Sequence, residues 1–575
     1  MLAAALVAAV TMPSFAYGQE PSAALRKADA AYRAGQTALS QKNLGAAQAD
    51  FEEVVRLAPQ AEQGHSALGA VLVSRGQMQE GIRELERALT MKPGDGTAQM
   101  NLALAYERMG MPAKALPLFS RLQNRQIPGY VLAAYARSLA EMHHPQQAVA
   151  KMKAAVALDP ENADSHDELG SIYAQGSDWK DAQREFAASI RINPESAAAH
   201  LHLGLAMRAQ GQDGMEELRT ASRLAPGNAT IGLELGKALT ADGHDAEAIP
   251  IFEHVLELNP KSTAASYQLA LALQRTNKVQ QAIALLRKVV AAEPHNAEAL
   301  TNLGMALSQA QQAKDAVPVL QRSIALDPTN VTAHQDLAAA FVQLSQFADA
   351  VTELRAALKL APEMPALHYN LGLALKYQDD AAGAIPELET AEKLNPSAPE
   401  APYLLGILYM QTGKYADAAR EMNTSLKLRP ANSDGWATLG SVYEKLNELP
   451  QAASALQEAI RQDPLQSDAH LTLASVLAAQ NQPEEAKEER RKAADLMRAH
   501  MNLQRAQVAT NAGNSLLKSG DVAGSIVQFR DALSYDASYA GAHLGLANAL
   551  DRQGKAAEAS AERRKAESAE AAANP

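Results

Sequence analysis

The chain has 575 residues, 47% of them apolar but only 4% aromatic, with no cysteine and a formal net charge of −12. The lack of cysteine excludes disulfides, thiol nucleophiles and thiolate metal sites. An acidic balance without a basic stripe speaks against nucleic acid as a partner. Alanine supplies much of the apolar fraction, which suits closely packed helices better than a thick mixed core.

In chain order, residues 1–18 read as an export signal. A short apolar run, LAAALVAAVT, is followed by SFAYGQE, with Ser14, Ala16 and Gly18 offering small residues for cleavage. The basic segment that normally leads such a signal is missing. Residues 19–27 form a short lead-in. From residue 28 onward one period dominates. Pro160, Pro194, Pro226, Pro260, Pro294, Pro328, Pro362, Pro396, Pro430 and Pro464 recur about every 34 residues, without a slip from Pro260 onward. Aligned on them, the chain gives sixteen repeats starting at residues 28, 62, 96, 129, 163, 197, 229, 263, 297, 331, 365, 399, 433, 467, 506 and 540. Each reads as two amphipathic helices joined by a short turn. Repeat 6 is two residues short, with the deficit assigned to its turn, Gly211-Gln212-Asp213-Gly214. After repeat 14, residues 501–505 are extra. With no proline or glycine between Pro483 and Gly513, a long continuous helix is expected there. It divides a main array, 28–500, from a C-terminal pair, 506–573, whose charged alanine-rich end suits a solvating cap. No later stretch offers the ~20 consecutive apolar residues of a membrane span.

Repeat 13 is the clearest, with Trp436, Leu439, Gly440 and Tyr443 on its first helix, Ala452, Leu456 and Ala459 on its second, and Pro464 closing it. The Leu-Gly pair returns at 68–69, 169–170, 203–204, 235–236, 303–304, 371–372 and 405–406. These residues resemble the tetratricopeptide repeat pattern W-x2-L-G-x2-Y…A-x3-F…P over nearly the whole chain. The resemblance implies an all-α, right-handed superhelical solenoid of an exported bacterial type. It also implies that the first helix of each repeat lines a concave face through positions 2, 5, 9, 12 and 13.

Outside the repeats too little chain remains for a catalytic domain, and the expectation is no enzyme and no cofactor. Seven of the fourteen histidines, His65, His166, His200, His334, His368, His470 and His543, share position 4 of their repeats. Trp436 holds that position in repeat 13, so the histidines read as packing substitutes for a ring rather than as metal ligands. Gly232–Ala238 has a glycine spacing faintly like a phosphate loop but lacks the Ser or Thr and falls within a helix. On the implied concave face the central repeats place Tyr267, Arg275, Tyr369, Lys376, Tyr377, Tyr403 and Met410, residue types that anchor partner interfaces. Asn101, Asn302 and Asn370 match one asparagine of the set with which some tetratricopeptide domains hold a C-terminal carboxylate. The Lys–Asn pair required in the preceding repeat is absent, so that specificity is not expected. The sequence points to a non-catalytic scaffold of the periplasm or outside, holding a protein or peptide along the groove. An accessory protein of polysaccharide or protein export that contacts glycan is the alternative.

Overall fold

The computed structural model describes residues 23–122 and 126–573, so the proposed export signal lies outside the described residues. Thirty-one helices and no strand occur among them. They form an all-α solenoid of sixteen helix pairs. The count is one short of thirty-two because a single helix, Pro483–Ser519, serves as second helix of repeat 14 and first helix of repeat 15. The chain divides into two compact units, 1–292 and 293–575, which separate repeats 1–8 from repeats 9–16.

The period is written locally in three devices. In seven repeats an Asn or Ser two residues past the closing proline caps the next helix. Asn296 Oδ1 accepts from Ala299 N at 2.9 Å, and Asn330 Oδ1 from Ala333 N at 3.0 Å, supplying acceptors to donors the first turn leaves open. Between the two helices of every repeat one residue has positive φ. Seven of these are glycines and nine are not, among them Gln311 and Ser345 at φ 59°. The left-handed region is strained for a residue with a Cβ, and the short interhelical turn imposes it sixteen times. Gln311→Gly should therefore stabilise its repeat by about 1 kcal/mol, read as a higher urea midpoint.

The third device is the Leu-Gly pair. A Cβ on Gly440 would lie 2.5 Å from Leu456 Cγ, and one on Gly170 2.6 Å from Phe186 Cδ1. The glycine lets the large residue of the second helix seat against the first helix's backbone. Phe51, Phe119, Phe186, Phe252 and Phe529 are consequently among the largest fully buried side chains. Below them the alanines at the start of the second helix, such as Ala47, Ala115 and Ala148, are fully buried.

Repeat 6 departs from the sequence expectation. Its turn is not short; its second helix is. That helix, Met215–Leu224, has 10 residues where most repeats have 14, and lacks its first turn. The remaining backbone, Gln210–Gly214, crosses directly over the first helix. A Cβ on Gly214 would lie 2.9 Å from the Gly204 carbonyl carbon and closer still to its oxygen. Gly204 still seats the bulky Leu218, and Gly214 stands where other repeats carry the second-helix alanine, so that two glycines face each other beside it.

Candidate functional site: the face of the first helices

The histidines at position 4 do more than pack. In six of the seven repeats Nε2 donates to the carbonyl of the proline closing the preceding repeat, at 2.9–3.3 Å. In the seventh, His543 uses the Ala537 carbonyl at 3.0 Å. Trp436 donates its Nε1 to Pro430 O at 2.9 Å, so the ring equivalence read from sequence holds in the structure. Imidazole adds a second bond that indole cannot make. Nδ1 meets a glutamate of the second helix: Glu84, Glu185, Glu217, Glu353, Glu387 and Glu562 at 2.5–2.8 Å, and Glu489 in repeat 14. A carbonyl and a carboxylate both accept, so each imidazole ties the second helix of its own repeat to the end of the preceding one. Burial opposes ionisation of Glu489. Hydrogen bonds from Lys492 and His470 outweigh it and hold the carboxyl below its ordinary value; Lys565 and His543 do the same for Glu562.

A carboxyl depressed by folding contributes stability above its unfolded pKa and loses it as pH falls through the folded value. Repeats 14 and 16, which end in these helices, should lose protection in hydrogen exchange as pH falls below about 4. No group of three or more His, Asp or Glu able to hold a metal occurs among the described residues. His65→Ala, at a fully buried ring, should destabilise by about 3 kcal/mol, because it opens a cavity and strands Glu84. His65→Trp, keeping the bond to the proline carbonyl, should recover part of that in the same urea titration.

The residues singled out from sequence fall in both units. In the first, Tyr267 is half-buried and Arg275 is exposed but engaged, its Nε 2.8 Å from Asp245 Oδ1. In the second, Tyr377 is 49% exposed and stacks on Phe347, centroids 5.2 Å apart, with Lys376 Nζ 5.3 Å from the Tyr377 ring centroid. Tyr377 and Lys376 thus serve a helix end as much as a groove. Tyr369 and Tyr403 are half-buried on successive first helices, and burial raises both phenols, with Glu400 and Asp434 adding to it respectively. Met410 joins Asp434, Thr438, Ser441, Asp468 and Thr472 around a groove of about 410 Å3.

Sequence reasoning named Asn101, Asn302 and Asn370 at position 6 of the first helix but missed Asp336, which holds the same position in repeat 10. Asp336 Oδ2 is buried without a hydrogen-bond partner, and burial alone pushes its carboxyl up to about 6. Asn302 and Asn370 hold the same position in the adjacent repeats. In the first unit Asn101, also at position 6, is 1% exposed, and neither its Oδ1 nor its Nδ2 has a partner. It lines a cavity of about 60 Å3 with Tyr32, Gln36, Ser66, Lys92 and Asp95. The signal available in sequence was the run of polar residues at position 6, Glu168, His202, Glu234 and Gln268 in one unit and Asn302, Asp336 and Asn370 in the other.

Family models for "Tetratricopeptide repeat" match residues 25–93, 267–331, 438–496 and 510–575, and a further one residues 375–442. A model described as "TPR repeat" matches 339–379, and one for the N-terminal TPR repeats region of Psidin matches 72–197. The chain belongs to the tetratricopeptide repeat family. No curated protein matches it. Among solved structures it is similar to YrrB, described as "a TPR protein with an unusual peptide-binding site", at 22% identity over 32% of this chain and 95% of that one, with a TM-score of 0.30. It is also similar to the APC/C hetero-tetramer Cut9-Hcn1, at 16% identity over 91% and 96%, TM-score 0.32. A third is MamA from Desulfovibrio magneticus RS-1, at 24% identity over 29% and 96%, TM-score 0.28.

Proposed function

We propose that this tetratricopeptide protein is a non-catalytic scaffold that holds an extended segment of a partner protein along the face of its first helices. The observation that carries the reading is Asp336. A buried carboxylate oxygen with no partner destabilises the free protein, and groups held at such a cost cluster at functional sites. Asp336 lies between Asn302 and Asn370 at the same position of successive repeats, and Tyr369 and Tyr403 stand on the next two first helices. The face therefore offers acceptors and amide groups for a partner's main chain or cationic side chain, and aromatic rings for its apolar side chains. The tetratricopeptide family is one of protein-binding scaffolds, which fits this use. The apolar run and small residues of segment 1–18 support a place in the cell envelope or outside it; mass spectrometry of the mature protein should find its first residue after Ala16 or Gly18.

The test is a displayed random-peptide library selected on the full chain, with the selected peptide measured by calorimetry. A Tyr369→Ala/Tyr403→Ala double variant, checked for unchanged helicity, should lose at least tenfold in affinity. Equal affinity in both proteins would remove this face from the proposal.

A further inference from the structure

The second face concerns repeat 15 and is independent of the groove above. In an ordinary repeat, position 3 of the first helix is covered by the second helix of the preceding repeat. Ala98, Val131, Ala199, Leu367 and Ala542 are fully buried there, and Ala469 nearly so. The covering residues are aliphatic. A Cβ on Gly64, at position 3 of repeat 2, would lie 2.8 Å from Val54 and 3.5 Å from Val55 of repeat 1. One on Gly435, in repeat 13, would lie 3.0 Å from Leu426 of repeat 12.

In repeat 15 this position is Val508, and it is 69% exposed. Ala512 and Ser515, at positions 7 and 10 of the same helix, are exposed too, although those positions are buried in the neighbouring repeats 14 and 16. The cause is the continuous helix Pro483–Ser519. The residue that would cover Val508 is Ala494, fourteen residues earlier on the same helix, hence about 21 Å away along its axis at 1.5 Å per residue. Repeat 14 cannot fold back onto repeat 15. The position-4 slot is also unfilled. Ala509 and Gln528 stand where repeats 14 and 16 have the His470–Glu489 and His543–Glu562 bridges. A groove of about 490 Å3 opens there, bordered by Met501, Arg505, Val508, Ala512, Asp531 and Tyr535. Met501 is 51% exposed, and Arg505 lies 5.8 Å over the Tyr535 ring.

We infer that this open face of repeat 15 is a docking surface for an amphipathic helix of another protein, seated as the second helix of a missing preceding repeat. Its small residues allow close approach of a helix, as the corresponding alanines do elsewhere in the array. A second copy of this chain is a poor occupant. Its two uncovered second helices present Ala494 and Glu567 where Val55, Leu426 and Ile460 present aliphatic side chains. Both also carry the same charged run, Glu-Arg-Arg-Lys-Ala at 489–493 and 562–566, which suits water.

The probe is a fluorescein-labelled peptide of residues 449–466, the helix that in this chain covers repeat 14, titrated into the full-length protein with anisotropy as the readout. Saturable binding is expected, weakened at least tenfold by Val508→Glu and unchanged by Val527→Glu, an equally exposed valine on the second helix of repeat 15. Both substitutions are at the surface and should leave the circular dichroism melt unchanged. Absence of saturable binding, or equal binding to Val508→Glu, overturns the inference. So does a wild-type dimer in sedimentation velocity that Val508→Glu converts to monomer, since the occupant would then be a second copy.

Discussion

Gly214→Ala should destabilise repeat 6 by about 3 kcal/mol, and the effect should be confined to the repeats that touch it. The new Cβ would meet backbone, the Gly204 carbonyl, rather than the far end of a flexible side chain. Backbone held inside a helix cannot turn aside, so the second helix must move away from the first and uncover Leu218 and Ala221, both fully buried. Native-state hydrogen exchange is the measurement, because a solenoid opens by local units and a single melting temperature averages over them. Amides of 197–224 should lose protection while those of repeats 1–3 keep theirs. Gly227→Ala is the control: nothing lies within 4 Å of its added Cβ, and its effect should stay within about 0.5 kcal/mol. Equal effects of the two substitutions would mean that the glycine pair does not set the helix contact.

Asp336→Asn should stabilise the free protein at pH 7.5 by about 2 kcal/mol and weaken its hold on a partner. Burial raises this carboxyl from 3.8 to about 6, so the folded state prefers the protonated form. The unfolded chain releases the proton near pH 4 and the folded chain only near pH 6. Stability is therefore lost as pH rises through that interval and stays lost above it. Asparagine does not titrate and escapes the penalty. Urea midpoints of the two proteins should converge near pH 4 and separate between pH 4 and 6, with the variant higher at neutral pH. Identical midpoints at pH 7.5 would mean that Oδ2 is satisfied in the free protein, and would take away the observation on which the proposed function rests. A gain in stability together with a loss of peptide affinity is the pattern of a residue kept for binding.

The periodic parts of this protein were legible in the sequence because each depends on neighbours at fixed spacing. The closing proline cannot continue the helix before it, and in half of the sixteen repeats a glycine seven residues into the first helix admits the Phe or Leu sixteen residues later. The positive-φ turn was less legible, since Gln311, Ser345 and Asn447 occupy it as well as glycine; the turn's geometry is imposed by the packing of the two helices, not by local preference. Position 4 was half legible. Trp436 announced a ring, but the hydrogen bond between His334 and Glu353 joins residues on different helices that only the folded pair brings to 2.6 Å.

The sequence by itself determined the repeat, its register and the all-α solenoid, since those follow from helix-stop signals and from side-chain volumes recurring every 34 residues. Tertiary structure alone decided which polar groups go unpaired. Asn302, Asp336 and Asn370 look alike along the chain, and burial without a partner at Asp336 depends on what surrounds the atom in space. It also decided that repeat 6 loses a helical turn rather than a loop, because backbone contact between Gly204 and Gly214 could be made only that way. And it decided that Val508 faces water, because a helix that does not bend carries its own would-be cover out of reach.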